Sequence, residues 1–308
     1  MNEPVVLLSL GPLSVTVYSL AIAGAALLSG LLLCLLLRGK GEDPLGLFLL
    51  TGLGALLGAR LVYCLATLPT ILADYGGIGF FLRLWQGGFA LPGAFWGGTL
   101  AAFLYEKHRG TSLKPVAAPL LACGFLTLMI ARIAEISTLQ GLGDMVEEEG
   151  LQFFPFAVWS EYQYTWCIPV FFWEALAALA GLVFLLLRRK APGAALQGIG
   201  WLCASQIFLE SLREDDCIRF GFTRFGQLAC VVTLLGILIA RLVLRKSKGK
   251  EALCRLLGFL LLAGVMVGIE FALDRTDLSH LLLYLVMALA LVGMYLVSIG
   301  KFREQKER

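Results

Sequence analysis

The chain has 308 residues, of which 59% are hydrophobic and only 15% charged, with a formal net charge of +3. At a mean hydropathy of +0.84 it carries far more apolar surface than a soluble fold of this size can bury, and this excludes a soluble protein. The apolar excess must face lipid.

A membrane-spanning helix needs roughly 20 mostly apolar residues. In chain order the sequence offers nine such segments, at 14–37, 44–65, 88–105, 115–134, 166–187, 196–209, 226–244, 252–273 and 280–300. The third and sixth are short and interrupted by glycine or polar residues. No Lys or Arg precedes Arg38, so the first segment lacks the basic n-region of a cleavable signal and is expected to stay in the mature chain. The fold class expected is therefore all-α, a polytopic membrane protein of about nine transmembrane helices.

Orientation follows from where the basic residues fall. With the N-terminus outside, the inner loops collect Arg38 and Lys40, then Lys107, Arg109 and Lys114, then Arg188, Arg189 and Lys190, then the group 241–255, then the tail 301–308. That is most of the Lys and Arg in the chain, and it puts the C-terminus inside.

Two outer loops stand apart. The segment 136–165 holds Asp144, Glu147, Glu148, Glu149 and Glu161 but no Lys or Arg, and runs into Phe153, Phe154, Phe156, Trp159, Tyr162, Tyr164 and Trp166. Such an aromatic run reads as an interfacial belt. The segment 211–225, "SLREDDCIRFGFTRF", holds Arg213, Arg219 and Arg224. Arginines outside run against the insertion rule, so something other than insertion must keep them there.

The eight cysteines show no CxxC spacing, and no metal site is expected from them. Only Cys167 and Cys217 fall near the outer side, where a disulfide is conceivable. His108 and His280 have no sequence-adjacent partner for nucleophilic catalysis. The glycine pairs of "GALLG" (54–58), "GAFWG" (93–97) and "GVMVG" (264–268) have the small-xxx-small spacing that lets membrane helices approach closely. All three are read as packing motifs.

Polar groups at membrane depth are the sharper signal, because such groups are costly unless they face one another or a cavity. They are Arg60, Arg132, Glu135, Glu174, Gln206, Glu210 and Glu270, with Arg213 just beyond the sixth segment. Arg132 with Glu135, and Glu210 with Arg213, share an i, i+3 spacing. They are either two self-contained ion pairs or the lining of one polar cavity that takes a phosphate or carboxylate headgroup.

Taken in order, "LGPLSVTVYSLAIAGA" (10–25), "GARLVY" (58–63), "LWQGGFALPGAFWGG" (84–98), "APLLACGFLTLMIARIAEI" (118–136), "IPVFFWEALAALAGLVFLLL" (168–187), "GIGWLCASQIFLESLRED" (198–215) and "GQLACVVTLLGI" (226–237) resemble the successive helices of bacterial prolipoprotein diacylglyceryl transferase. The resemblance covers roughly residues 8–245. It implies a seven-helix domain at 1–245 in a bacterial plasma membrane, with the segment 136–165 in the place of the family's periplasmic head. Residues 246–308 would be an extension with two further helices. The implied reaction takes diacylglycerol from the phospholipid phosphatidylglycerol, passes it to the thiol of a lipobox cysteine in a prolipoprotein signal peptide, and releases glycerol phosphate. No metal, cofactor or nucleic-acid partner is expected.

Carried over by position, the family's phosphate-holding arginine falls on Arg132, while the asparagine of the same motif is replaced by Glu135 and the acidic residue beyond it by Gln140. The closing ExxR of the sixth helix falls on Glu210 and Arg213. By the resemblance Tyr18, Arg60, Glu174 and Gln206 fall on substrate-binding positions, and Arg219 and Arg224 join them if, like arginines of this loop in the family, they reach the cavity instead of dressing its rim. Gln206 stands where the family has a catalytic arginine, Pro92 where it has the histidine of its HGG motif, and Ile168 and Trp173 replace a histidine and a tyrosine. Arg132 and Arg213 can offer positive charge to a leaving phosphate. Glu135 is the candidate base for the thiol. The alternatives carried forward are a catalytically silent lipid-binding or scaffold member of the fold, and a transferase with a different acceptor.

Overall fold

The structure, a computed structural model, describes residues 6–10, 13–39, 41–74, 78–138, 140–161, 163–214, 218–220, 223–245, 249–276 and 278–300. Lys40, Tyr162, Cys217, Lys246, Lys248 and the basic tail 301–308 lie outside the described residues, so the sequence readings that use them are not addressed structurally.

The protein is mostly helical. A ribbon of β1 (Val6–Leu10) and β2 (Leu13–Thr16) leads into α1 (Val17–Leu37), followed by α2 (Pro44–Ala66), α3 (Leu68–Asp74), two 3-10 turns (Ile78–Leu82 and Leu84–Gln86), α4 (Leu91–His108) and α5 (Lys114–Ala134). Then come a hairpin of β3 (Val158–Ser160) and β4 (Thr165–Cys167), α6 (Val170–Arg188), α7 (Ala194–Ser211), a short ribbon of β5 (Arg219–Phe220) and β6 (Thr223–Arg224), α8 (Phe225–Leu244), α9 (Gly249–Arg275) and α10 (His280–Ile299). Among the described residues three short antiparallel ribbons accompany the helices that the all-α expectation foresaw. Each is only two to five residues per strand and lies between helices or at their ends, where hydropathy is dominated by the neighbouring spans.

Each of the nine predicted segments overlaps a helix among the described residues. Seven of these are long and apolar enough to cross a membrane: α1, α2, α5 continued to Ser137, α6, α8, α9 to Leu273, and α10. These seven helices make the chain a multi-pass membrane protein. The other two fall short for a visible reason. α4 spends its 18 residues on Pro92, three glycines and a polar end at Glu106–His108, and α7 carries Gln197, Ser205, Gln206, Glu210 and Ser211.

Local chemistry sets the helix starts. Thr16 and Ser19 cap α1 reciprocally: the Thr16 hydroxyl accepts from the Ser19 N–H at 3.1 Å, and the Ser19 hydroxyl accepts from the Thr16 N–H at 2.8 Å. Asp43 caps α2 by accepting from the Gly46 N–H at 3.1 Å, with Pro44 in the first turn.

The chain divides into two compact units. The first comprises Met1–Ala195 and Leu212–Ile218. Within it α2 and α4 run antiparallel at glycine distance: a β-carbon on Gly58 or Gly93 would strike the partner's backbone, as would one on Gly54 or Gly97. At the other end of this pair the Tyr105 hydroxyl donates to Asp43 Oδ2 at 2.6 Å and Arg109 lies 3.6 Å from Glu42. α1 is tied to α5 by the Ser29 hydroxyl, which donates to the Cys123 carbonyl at 3.1 Å and lies 2.8 Å from the Thr127 hydroxyl. α6 brings Gly181 against the Phe125 ring of α5.

The second unit comprises Leu196–Ser211 and Arg219–Arg308. Its core joins Cys203 and Ile207 of α7, Leu234 and Leu238 of α8, Phe259 and Met266 of α9, and Met287 and Met294 of α10. α7 and α10 are antiparallel neighbours, with Gly200 packed on Tyr295 and Ile299, and Phe208 on Tyr284. The last carbonyls of α10 are capped by side chains from other helices. Arg241 donates to Ser298 O at 2.6 Å and Gly300 O at 3.0 Å, and Arg255 to Val297 O at 3.4 Å. The third glycine pair meets no neighbour among the described residues: a β-carbon on Gly264 or Gly268 would meet open space. Spacing alone does not say which face of a helix meets a neighbour.

Candidate functional site

Arg132 stands in the last turn of α5, and Glu135 follows where the helix tightens into a 3-10 turn (Glu135–Ser137). That spacing puts the two side chains on one face, and Arg132 Nη1 donates to Glu135 Oε1. The pair is not self-contained. Glu174, fully buried in the second turn of α6, places Oε2 3.0 Å from Arg132 Nε and 2.8 Å from Arg213 Nη1. Arg213 Nη2 closes the ring 3.7 Å from Glu135 Oε2.

The result is a four-membered cycle of alternating charge, each arginine touching both glutamates. Its side chains are 12%, 7%, 0% and 11% exposed for Arg132, Glu135, Glu174 and Arg213. In so dry a place the charges are tolerable only because they neutralise one another. Tyr18, in the first turn of α1, lies within Coulombic range of Glu135, Arg132 and Arg213.

Arg213 reaches the cycle from extended backbone, not from a helix. α7 ends at Ser211, so Arg213 lies beyond the helix that carries Glu210. The segment after α5 holds Arg213 instead. Gly143 bridges Arg213, the Glu214 N–H donates to Leu142 O at 2.9 Å, and the Gly143 N–H donates to Ile168 O at 2.8 Å. Ile168, where the resemblance expects a histidine, thus contributes its carbonyl.

Two glycines allow the close approach. Gly141 has a φ of +70°, and a β-carbon there would meet Glu135 Oε2 and Phe171; one on Gly143 would strike Leu212 O. Leu142, Cys167 and Phe171 form a small core beneath. Sequence reasoning missed this strap. Its only trace was the glycine pair of "GLGD" (141–144) inside an otherwise acidic and aromatic loop.

Arg60 is placed elsewhere in the first unit. It is 2% exposed and donates to the carbonyls of Phe80 (2.6 Å), Arg83 (2.9 Å), Gly88 (3.1 Å) and Gly87, with its guanidinium 4.3 Å from the centre of the Phe80 ring. This is a clamp on the turns before α4, using the fork geometry only arginine has. Pro92 sits in the first turn of α4, where its missing N–H costs nothing.

Gln206, Glu210, Arg219 and Arg224 belong to the second unit. Gln206 is buried, and its Oε1 has no hydrogen-bond partner among the described residues. The Glu210 carboxylate packs against Gly226, at the start of α8. Arg224 is buried at the N-cap of α8, and Arg219 is exposed on β5. Among the described residues no group of His, Cys, Asp and Glu is arranged to hold a metal ion.

Arg132 makes a hydrogen bond to the cycle through Nη1 alone among the described residues, its Nε lying 3.0 Å from Glu174 Oε2 without one. Its Nη2 has no partner among the described residues. A guanidinium edge at the rim of a neutral, nearly dry cycle can take one more anionic oxygen. Glu135 Oε2 is buried and accepts no hydrogen bond among the described residues.

The family model for prolipoprotein diacylglyceryl transferase matches residues 5–243. The chain is 29% identical to the phosphatidylglycerol–prolipoprotein diacylglyceryl transferase of Bacillus velezensis over 257 residues, covering 78% of this chain and 91% of that protein. It is 26% identical to the enzyme of the same name from Lysinibacillus sphaericus, over 79% of this chain and 93% of the relative. With that from Synechococcus elongatus the identity is 30%, over 74% and 83%.

Proposed function

The chain belongs to the prolipoprotein diacylglyceryl transferase family, and from that premise we propose that it is a transferase of the bacterial plasma membrane that moves diacylglycerol from phosphatidylglycerol to a lipobox cysteine thiol. The relatives' names supply the reaction class. The observation that carries the reading in this chain is the uncommitted Nη2 edge of Arg132 on a buried arginine–glutamate cycle.

In this reading the phosphate of the donor lies on Arg132 Nη2, with Arg213 as the second positive group. The thiol gives its proton to Glu135 Oε2, and the sulfur attacks the diacylglycerol carbon bonded to the phosphate oxygen. The C–S bond forms as the C–O bond breaks. The electron pair leaves with glycerol phosphate, which the two arginines stabilise as it departs. Tyr18 lies close enough to the cycle to orient the same headgroup.

A second reading is favoured by a separate observation. Both arginines already meet both glutamates, and Pro92 and Gln206 offer neither the imidazole nor the guanidinium of the family's pattern. A protein so altered keeps a lipid site without chemistry. Purified protein given phosphatidylglycerol and a lipobox peptide separates the two. The transferase releases glycerol phosphate only when the peptide thiol is present, and mass spectrometry finds the peptide heavier by one diacylglyceryl group. Bound phospholipid without either product supports the silent lipid binder.

A further inference from the structure

The family match ends at residue 243, and the chain around that point builds a basic surface on the second unit. Arg241, in the last turn of α8, donates to Ser298 O and Gly300 O, and Arg255, in the second turn of α9, donates to Val297 O. The carbonyl end of α10 therefore gathers guanidinium groups from two helices. Arg245 follows Arg241 by one turn, at the C-cap of α8, and Lys250 stands at the start of α9; both are exposed. The only carboxylate in 241–255 is Glu251, which accepts from Arg255 Nε at 3.2 Å.

Apolar side chains flank these cations. Val243 and Leu244, beside Arg245, are 69% and 83% exposed, and Leu253 and Leu257, on either side of Arg255, are more than half exposed. A soluble anion offers nothing to such side chains. A phospholipid serves both, with its headgroup on the cations and its acyl chains on the apolar residues. α8 and α9 are long and apolar enough to cross a membrane, so Arg245 and Lys250, at the facing ends of the two helices, lie at its surface. α8 has 20 residues, about 30 Å at 1.5 Å per residue. That puts the patch at the opposite face of the membrane from Arg224.

We propose that Arg245 and Lys250, backed by Arg241 and Arg255, bind the phosphate of an anionic phospholipid of the surrounding bilayer, which is neither cleaved nor transferred. The residues are not those of the donor site, and two of the four belong to the extension. The proposal rests on the reading that the chain works in a membrane holding phosphatidylglycerol. It does not need turnover.

The test uses the full chain, as wild type and as Arg132→Ala, each with and without Arg245→Gln and Lys250→Gln together. Binding of phosphatidylglycerol and of phosphatidylcholine in detergent micelles is read by native mass spectrometry. The expected result is a fall of about tenfold or more in phosphatidylglycerol affinity when the two cations are neutralised, in both backgrounds, with phosphatidylcholine unchanged. Unchanged phosphatidylglycerol affinity, or an equal fall for both lipids, overturns it. A fall seen only when Arg132 is present places the lipid in the donor site and also overturns it. So does displacement of the lipid by an equal concentration of glycerol phosphate, which would mean that the headgroup alone is recognised.

Arg245→Lys with Lys250→Arg, which keeps both charges, guards against a folding artefact. It is expected to bind as wild type does, and a fall as large as that of the neutral pair overturns the charge-based site. Wild-type protein that makes no modified lipobox peptide, yet loses phosphatidylglycerol with the neutral pair, counts against the transferase reading and supports this site.

Discussion

Glu174 carries the most consequence of any single side chain in the first unit, because its Oε2 is shared between Arg132 and Arg213. Glu174→Ala leaves two buried guanidinium groups facing one carboxylate, and breaking a buried charge set in this way costs about 3–5 kcal/mol. The expected outcome is a marked drop in the thermal midpoint in detergent, whereas Gln140→Ala, at an exposed position, leaves it unchanged. Equal midpoints for the two variants would show that the cycle contributes nothing net.

At this scale the sequence was partly legible. Arg132, Glu135, Glu174 and Arg213 stood out as charges too deep to be incidental, and the structure brings these four together. The pairing was not legible. It depends on where α7 stops and on backbone from the strap at Gly141–Gly143, and neither leaves a periodic trace. Arg60 looked like its deep companions, yet its partners are carbonyls, which no residue identity announces.

At the scale of elements, each hydropathy segment falls on a helix among the described residues, and seven of these helices are long and apolar enough to span, since a run of apolar side chains is all that lipid contact demands. Hydropathy did not find the ribbons, whose strands of two to five residues serve to turn the chain. α4 is the instructive element. Its composition alone is too polar for a span, but it runs antiparallel to α2 from the Gly58 and Gly93 contact to the Tyr105 and Asp43 hydrogen bond. At 1.5 Å per residue an 18-residue helix covers most of a hydrocarbon core. We therefore expect α4 to cross the membrane beside α2 and to return the chain to the side of the α1–α2 loop. In a variant without its own cysteines, Arg38→Cys and Ser112→Cys should both resist an impermeant thiol reagent added outside the cell and react once the membrane is opened. Labelling of the Ser112 position from outside would end the nine-span, N-terminus-out topology.

For the whole molecule, the compact units do not follow the boundary that the family resemblance suggests. α7 and α8 lie within the family match but share their core with α9 and α10 of the extension. The extension therefore supplies part of the core on which Gln206, Glu210 and Arg224 are mounted. That partition was invisible in the sequence, where the last two helices read as an appendage, because core sharing depends on which faces meet. Function scales in the same way. The first unit contains the charge cycle and Tyr18, and the second contains Arg219 and Arg224.

The central claim is that Arg132 holds the donor phosphate. The most direct measurement is the amount of diacylglyceryl-modified lipobox peptide formed from phosphatidylglycerol by wild type and by Arg132→Ala, each first shown to be folded in detergent. The account predicts product from wild type and a loss of about a hundredfold or more in the variant, the scale seen when one charge-stabilising donor is removed from an active site. Product formation by Arg132→Ala at the wild-type rate would contradict it.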